Sequence, residues 1–386
     1  MDAFYASVEL LRYPELAGLP VVIGGGSAHR PVECTDPATG AVRREFATLG
    51  NYAGRGVATT ATYEARALGV HSAMGLMKAA ALAPHAILLP VDFDAYRRMS
   101  RRFKEAVHAI APRIEDRGID EIYIDLTELI RDRDVDAVRA LAQSIKDAVR
   151  AATGLRCSIG VAPNKLLAKI ASDLDKPDGL TLIGEGDLER RIWPLPARRI
   201  NGIGPKSAER LAALGIHTIA DLARADPGLL VERFGRAHGE WMVAASHGRD
   251  ARPVVTSSEP RSISRETTFE RDLSATRDRA LLSAIFTELC DGVGDDLMRK
   301  GYAGRTIGLK LRYDNFRTVT RDVTLAAPTQ DAAAIRRAAG SCLKRVALER
   351  RIRLLGVRVG SLVPAHLAAN AVEEPASLTG SLFDWR

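Results

Sequence analysis

The chain reads as an α+β protein of several domains, and three observations predict this. Short β-branched strands alternate with helical stretches over 57–183. A second stretch of strands and helices follows a Pro-, Ser- and Arg-rich linker, "GRDARPVVTSSEP". At 386 residues the chain has room for roughly two to four domains with sizeable cores.

In chain order, "AILLPV" reads as a strand and "DAYRRMSRRFKEAVHAIA" as a helix. "RIEDRGI" and "EIYIDL" read as strands, "DAVRALAQSIKDAVRAAT" as a helix and "CSIGVA" as a strand. From 184 to about 250 the pattern changes to short helices with Gly-rich turns. Beyond the linker, "RSISRETTF" reads as a strand. A helix from Ser274, with the Ser274 side chain as N-cap, puts Leu281, Leu282, Ile285, Leu289 and Val293 on one face. "RTIGLKLRY" and "RTVTRDVTL" follow as strands, then a helix over 331–347 and the strand "LLGVRVG". In the first of these strands Ile307, Leu309 and Leu311 point one way and Lys310 and Arg312 the other, which suits helices behind and a phosphate backbone in front. Residues 24–56 have turn residues and charge but no period, and are expected to form a long loop or an irregular subdomain.

Composition narrows the class. A hydrophobic share of 46% and a charged share of 27% are those of a soluble globular protein. No apolar run reaches the roughly 18 residues of a membrane span, and no signal peptide precedes the first element, so a cytoplasmic location is expected. Cys34, Cys157, Cys290 and Cys342 are far apart and form no local zinc site. The net charge of +7 points to an anionic partner. Between Arg261 and Val363 there are 20 Lys plus Arg against 12 Asp plus Glu, so one segment carries the whole excess.

Four motifs carry chemistry. "GIDEIYIDL" places Asp120 and Glu121 in a turn between strands, a dense oxygen-donor charge that suits hard cations. Two such ions about 3.5–4 Å apart activate a hydroxyl and stabilise a leaving pyrophosphate. "TTATYEAR" offers Thr60, Tyr63 and Arg66 at a helix start, with the hydroxyl and guanidinium on one face toward an anion. "NKLLAKIASDLDKPDG" opens a helix at Asn164 and ends with Lys176 in a Pro/Gly turn, where a lysine meets a phosphate as a point charge. "INGIGPKSAERLAALGIHTIADLARAD" sets two helices about a G-I-G turn and has the form of a helix-hairpin-helix. There Gly202 and Gly204 let backbone N–H groups approach a DNA phosphate, with Lys206 beside them.

Taken together, "MDAFYASVE", "YEAR", "GIDEIYID", "SIGVAPNKLLAKIASDLDKPDG", "INGIGPKSAERLAALGIHTIADL" and "RSISRETTF" resemble, in family order, a Y-family DNA polymerase of the bacterial DNA polymerase IV type. The resemblance implies a right-hand polymerase. Its palm would be 1–4 and 92–183, its fingers 5–91 with the long insert 24–56, and its helix-hairpin-helix thumb 184–251. A linker, 252–260, would lead to a basic little finger, 261–363, and a tail, 364–386. Asp120 and Glu121 would hold two Mg²⁺, with Mn²⁺ as a substitute, joined by the Met1 carbonyl. Thr60, Tyr63, Arg66 and Lys176 would bind the dNTP triphosphate, with backbone amides around Phe4. Tyr5 would be the steric gate that excludes a ribose 2′-OH by collision. The thumb and little finger, through residues such as Lys310 and Arg312, would grip primer-template DNA, giving salt-dependent binding. The chain is expected to act as a monomer.

The family begins Asp-hydrophobic-Asp-Ala-Phe-Tyr/Phe-Ala, so Met1 falls on the hydrophobic position and Asp2 on the second aspartate. The first aspartate, a metal ligand in the family, would lie just before Met1. The expectation is that translation starts upstream; the alternative is a natural truncation with impaired catalysis, a DNA-binding or scaffolding relative. A helix-hairpin-helix repair nuclease or glycosylase leaves "YEAR" and the gate aromatic unexplained. Gly118 stands where the family has Ser. The tail "TGSLFDW" resembles a sliding-clamp-binding peptide with Leu382 and Phe383 as apolar anchors, although Thr379 replaces the usual Gln.

Overall fold

The computed structural model describes residues 1–35, 42–130, 134–184 and 186–368. It divides into two compact units, Met1–Ser257 and Ser258–Arg386.

The first unit opens with helix α1 (Phe4–Arg12), which buries Phe4, Ala6 and Val8. Strand β1 (Val21–Gly25) then runs parallel to β5 (Ile87–Pro90) and antiparallel to the short β4 (Thr60–Ala61). Val22 and Leu88 are fully buried there against Leu49 and Leu76, beneath helices α2 (Tyr63–Ala67) and α3 (Leu76–Leu82). The described residues of the segment 24–56 form regular structure that its lack of period does not reveal. Strands β2 (Val32–Thr35) and β3 (Val42–Glu45) pair antiparallel in a two-stranded ribbon, with Glu33 opposite Arg44. Arg44 ties the ribbon down: it bonds Glu33 and Glu15, each at 3.2 Å, and lies over the Tyr13 ring. The ribbon is exposed on both faces, so no apolar alternation marked it in the sequence.

Helix α4 (Phe93–Ile110) is capped by Asp92, whose side chain accepts from the Ala95 amide, and buries Tyr96, Ser100, Phe103 and Val107 on one stripe. Helix α5 (Val135–Thr153) is capped by Asp134, buries Ala142, Ile145 and Val149, and ends at Gly154 in the left-handed region. Both pack under two small ladders. Strands β6 (Ile114–Asp116) and β7 (Ile122–Ile124) pair antiparallel, whereas β8 (Ile159–Val161) and β9 (Leu180–Leu182) pair in parallel around helix α6 (Lys165–Ser172). The first two residues lie between these ladders: the Met1 ammonium donates to the Asp120 carbonyl at 2.8 Å and the Asp2 amide to the Arg156 carbonyl at 3.2 Å.

Four short helices follow: α7 (Pro205–Ala212), α8 (Ile219–Arg224), α9 (Pro227–Phe234) and α10 (Arg236–Ser246). Their core of Leu211, Ile219, Leu222, Leu230 and Met242 is continuous with Leu166 and Ile170 of α6. Immediately ahead of α7, where the sequence reading placed a helix, stands a single 3₁₀ turn, Ala197–Arg199, itself preceded by a π-helical turn, Leu188–Ile192. The chain leaving this unit is pinned by a buried ion pair. Lys165 donates to Glu115 at 2.5 Å and to the Pro253 carbonyl at 2.9 Å, and the Val255 amide donates to Glu115 at 2.8 Å.

The second unit is a four-stranded antiparallel sheet in the order β10 (Ser262–Leu273), β13 (Ile352–Pro364), β11 (Tyr302–Tyr313), β12 (Thr318–Thr329). Helices α11 (Arg279–Lys300) and α12 (Ala332–Leu343) cover one face, and a short α13 (Ala365–Ala368) closes the described chain. Ile307, Leu309, Leu311, Val357 and Val359 meet Phe286, Cys290, Val293 and Leu297 in one core. The helix expected from Ser274 starts at Arg279 instead. Ser274 belongs to the preceding turn, where its hydroxyl accepts from the Arg277 amide, and Asp278 takes the N-cap position. The four cysteines are free thiols. Among the described residues no helix is long and apolar enough to cross a membrane.

Candidate active site

A cavity of about 270 Å³ opens where α1, the β4–α2 corner and the β6–β7 turn converge. Met1, Phe4, Tyr5 and Asp120 line one side; Thr60, Tyr63, Arg66 and Lys176 line the other, joined by Thr59 and Ser72. Residues far apart in sequence and singled out by separate motifs thus meet in one space. Glu121 is not on its wall.

Tyr5 is held by aromatic rings. It stacks on the fully buried Tyr96 at 4.3 Å between centroids and 19°, and meets the edge of Phe93 at 6.1 Å. The Tyr96 hydroxyl donates to Glu9 at 2.7 Å. Burial pushes the Glu9 pKa up, against the pull of the Tyr96 hydrogen bond and Arg12. Burial, then the negative charge of Asp120, which lines the same cavity, raises the Tyr5 pKa as well. Neither Tyr96 nor Glu9 was singled out in the sequence; an aromatic at that helical spacing reads as core.

Thr62 caps α2 and so aims the first turn at the cavity. Arg66 is braced by the Ala61 carbonyl at 3.0 Å and the Thr60 hydroxyl at 3.3 Å, with its guanidinium 5.0 Å from the Tyr63 ring centroid. The Tyr63 hydroxyl is buried and has no hydrogen-bond partner. An orphaned phenol beside a braced guanidinium is a ready donor set for an anion. Lys176 is paired with Asp173, the carboxyl of which stays below its ordinary value. Burial opposes that shift, but Lys176 and Lys169 outweigh it.

The 117–121 turn is fastened by Lys104, which donates to the Gly118 carbonyl and to Asp116, each at 2.7 Å. Glu121 is half-exposed and pairs with Lys169 at 2.7 Å. Burial pulls the Lys169 pKa down, yet the Glu121 hydrogen bond and the Asp173 charge leave it raised. Asp2 is not a free ligand: both its oxygens accept from Ser158, at 2.9 and 3.0 Å, and one accepts from the Asp178 amide at 2.9 Å. Asp120 and Glu121 are hard oxygen donors of the kind that Mg²⁺ or Mn²⁺ takes, so the donor chemistry fits a divalent cation. Among the described residues no group of three or more His, Cys, Asp or Glu gathers to hold one.

Comparisons with known proteins meet this geometry. Residues 1–173 match the impB/mucB/samB family, and residues 260–370 match that family's C-terminal domain. DNA polymerase IV of Methanoculleus marisnigri is 41% identical over 362 residues, spanning 94% of this chain and 92% of that protein. DNA polymerase IV of Streptomyces coelicolor is 37% identical over 388 residues, spanning 99% of this chain and 75% of that one. The chain belongs to the Y family of DNA polymerases. It is an enzyme of that family, a DNA-directed DNA polymerase of the translesion type. Among solved structures, a Y-family polymerase chimera of Dbh and Dpo4 superposes with a TM-score of 0.78 at 25% identity, covering 94% of this chain and 97% of that one. A structure titled an insertion ternary complex of Dbh DNA polymerase gives 0.63 at 25% identity, covering 94% of this chain and 98% of that one.

In this Y-family chain residues 197–237 match a tandem helix-hairpin-helix. In the first hairpin Gly202 has φ 119°, and a Cβ there would lie 2.6 Å from the Trp241 ring, so its glycine is required by packing as well as by the turn. Gly204 is exposed and caps α7 without a side chain, leaving the helix N-terminus beside Lys206 open. The second hairpin was missed in the sequence: α9 turns at Gly235, φ 83°, into α10, again with no side-chain cap. Its signal was the spacing of Gly235 and Gly239; a Cβ on Gly239 would lie 2.7 Å from the Val231 backbone.

On the second unit, Lys310 and Arg312 alternate with buried Leu309 and Leu311, as the strand period predicted. They are not bare cations. Lys310 pairs with Glu266 at 2.7 Å, Arg312 donates to Thr318 at 2.9 Å, and Arg358 pairs with Asp322 at 2.8 Å. Leu382 and Phe383 lie outside the described residues.

Proposed function

We propose that this chain copies DNA templates by adding dNTPs to a primer 3′-hydroxyl, with low fidelity, in damage tolerance. The observation that carries the reading is the single cavity uniting Tyr5, Tyr63, Arg66, Lys176 and Asp120. The 3′-oxygen forms a bond to the α-phosphorus, the bond to the β-phosphate oxygen breaks, and pyrophosphate leaves. Arg66 and Lys176 balance the triphosphate charge, and the orphaned Tyr63 hydroxyl donates to one of its oxygens. Tyr5, backed by Tyr96, fills the space that a 2′-hydroxyl would need.

Asp120 and Glu121, with the Met1 carbonyl, would hold the two Mg²⁺. Those ions supply activation of the attacking hydroxyl and charge stabilisation at the leaving group. In this reading the domains are a palm of 1–4 and 92–183, fingers of 5–91, a thumb of 184–251 and a little finger of 261–363. Both thumb hairpins would hold the duplex by its phosphates at helix N-termini. A clamp contact through the tail, a monomeric state and a cytoplasmic location belong to the same proposal.

The test is primer extension with dNTPs and Mg²⁺, run on this chain and on one carrying the in-frame upstream codons. Extension that E121Q abolishes supports the reading. Failure of both forms while both bind primer-template replaces it with a non-catalytic DNA-binding protein.

A further inference from the structure

The turn at residues 176–179 carries Lys176 into the cavity, yet it precedes the β8–β9 ladder, which begins with Ile159 opposite Leu180. The Ile159 amide donates to its Gly179 carbonyl at 3.0 Å, and side chains from elsewhere add further holds on the Asp178 and Gly179 backbone. Lys146 of α5, 8% exposed, donates to the Asp178 carbonyl at 2.5 Å, the Asp178 carboxylate at 2.8 Å, the Cys157 carbonyl at 2.9 Å and the Gly179 carbonyl at 3.1 Å. From the other side Asp2, 4% exposed, accepts the Asp178 amide at 2.9 Å. Ser158 joins the two halves: its hydroxyl donates to Asp2 and accepts from the Gly179 amide at 3.2 Å.

Asp178 has φ 59°, in the left-handed region that few side chains other than Asn and Asp enter. A lysine and an aspartate are each desolvated to hold it, which an apolar core alone would not require. Asp178 is two residues beyond Lys176, so a slip of the turn shifts the lysine within the cavity. We propose that Lys146 and Asp2, linked through Ser158, are positioning residues for nucleotide binding, locking the 176–179 turn so that Lys176 meets the triphosphate. This rests on the reading of the cavity given under the proposed function.

The test measures dNTP affinity in a complex with dideoxy-terminated primer-template, alongside primer-template affinity and Tm. The variants are K176A, K146M, K146R, S158A and K146M/K176A. K146M is expected to weaken dNTP binding about tenfold, the scale of a sub-ångström to ångström misplacement, with primer-template affinity unchanged. K146R restores most of that loss, S158A loses about threefold, and K146M/K176A binds no more weakly than K176A, because both changes remove one contact. In turnover by the active form, KM for dNTP rises while kcat moves less. Should K146M not fold, S158A, which lacks one hydroxyl, carries the same comparison. Independent, additive losses in the double variant, or equal losses of dNTP and DNA binding, overturn the proposal and leave a general scaffold. A K176A variant with unchanged dNTP affinity overturns the triphosphate role of Lys176 itself, and this inference with it.

Discussion

Replacing Tyr96 separates two jobs that one side chain performs. Tyr96→Phe keeps the ring under Tyr5 but deletes the donor to Glu9, which is 3% exposed. A hydrogen bond to a charged group contributes about 1.5–3 kcal/mol, and Arg12, 3.7 Å from Glu9, remains to offset part of the loss. The expected cost is therefore about 1.5–2 kcal/mol, or roughly 3–8 °C in Tm for a unit of this size. The pH dependence follows from the Glu9 shift. A carboxyl with a raised folded pKa contributes stability below its unfolded pKa and loses it as pH rises through the folded value. Removing the Tyr96 donor raises that folded pKa further, so the deficit of Tyr96→Phe is largest at neutral pH and shrinks on acidification. Tyr96→Leu, in contrast, also removes a stack worth about 0.5–1.5 kcal/mol and frees the Tyr5 ring. Single-nucleotide insertion with dNTP and rNTP then gives two outcomes: Tyr96→Phe keeps sugar discrimination and Tyr96→Leu loses it. If Tyr96→Leu discriminates as the wild type does, the stack does not hold Tyr5 in place and the reasoning fails.

Three further perturbations are specific. Lys165→Met strands Glu115 in a buried site and is expected to cost about 3–5 kcal/mol by chemical denaturation, toward the lower end because Arg117 lies 3.5 Å away; adding Glu115→Leu should recover much of it. Gly160→Ala would place its Cβ 2.2 Å from the Ala168 carbonyl oxygen, forcing β8 off α6 at a cost of about 3 kcal/mol or more, read as a lower Tm. In the second unit, Arg271 and then the Ser274 amide hold the Asp278 pKa down at about 2 against an ordinary 3.8. That contribution is complete above pH 3.8 and is lost as pH falls through about 2, so an acid titration of Asp278→Asn should flatten in that window.

Much of this architecture was readable because its signals are local. Asp120–Glu121 and Tyr63–Arg66 each sit in one turn or on one short helix, where spacing settles which side chains share a face, and Asn164 caps α6 while Lys176 follows in the turn just beyond it. The strand alternation of Ile307, Leu309 and Leu311 is equally short-range. What escaped was long-range. Tyr96 meets Glu9 across 87 positions, Lys146 reaches Gly179 across 33, and Ser158 reaches Asp2 across 156. Before folding, nothing distinguishes Lys146 from a solvated lysine on an amphipathic helix. The β2–β3 ribbon escaped for the opposite reason: exposed on both faces, it lacks the period by which strands announce themselves. The Ser274 cap was misplaced because residues 274–278 form a turn ahead of the helix, and the Asp278 carboxylate at the N-cap position is drawn back to the Ser274 amide and Arg271.

The ion pairs on the open face of the second unit change what its positive charge means. Lys310 and Arg358 are already matched by Glu266 and Asp322, and all four side chains are at least one-third exposed. Exposed pairs of this kind are worth about 0–1 kcal/mol, so a phosphate can displace the carboxylate at little cost. If DNA is gripped on this face, as proposed, contact there would be an exchange of anions rather than the neutralising of bare charge. Each exchange returns a carboxylate to solvent, and counterions gather around it as they leave the DNA. The salt slope of binding should therefore fall short of about 0.9 per cation counted in the sequence. On the proposed reading the face would work as an ion exchanger, gripping and releasing successive phosphates without a large energetic step between them.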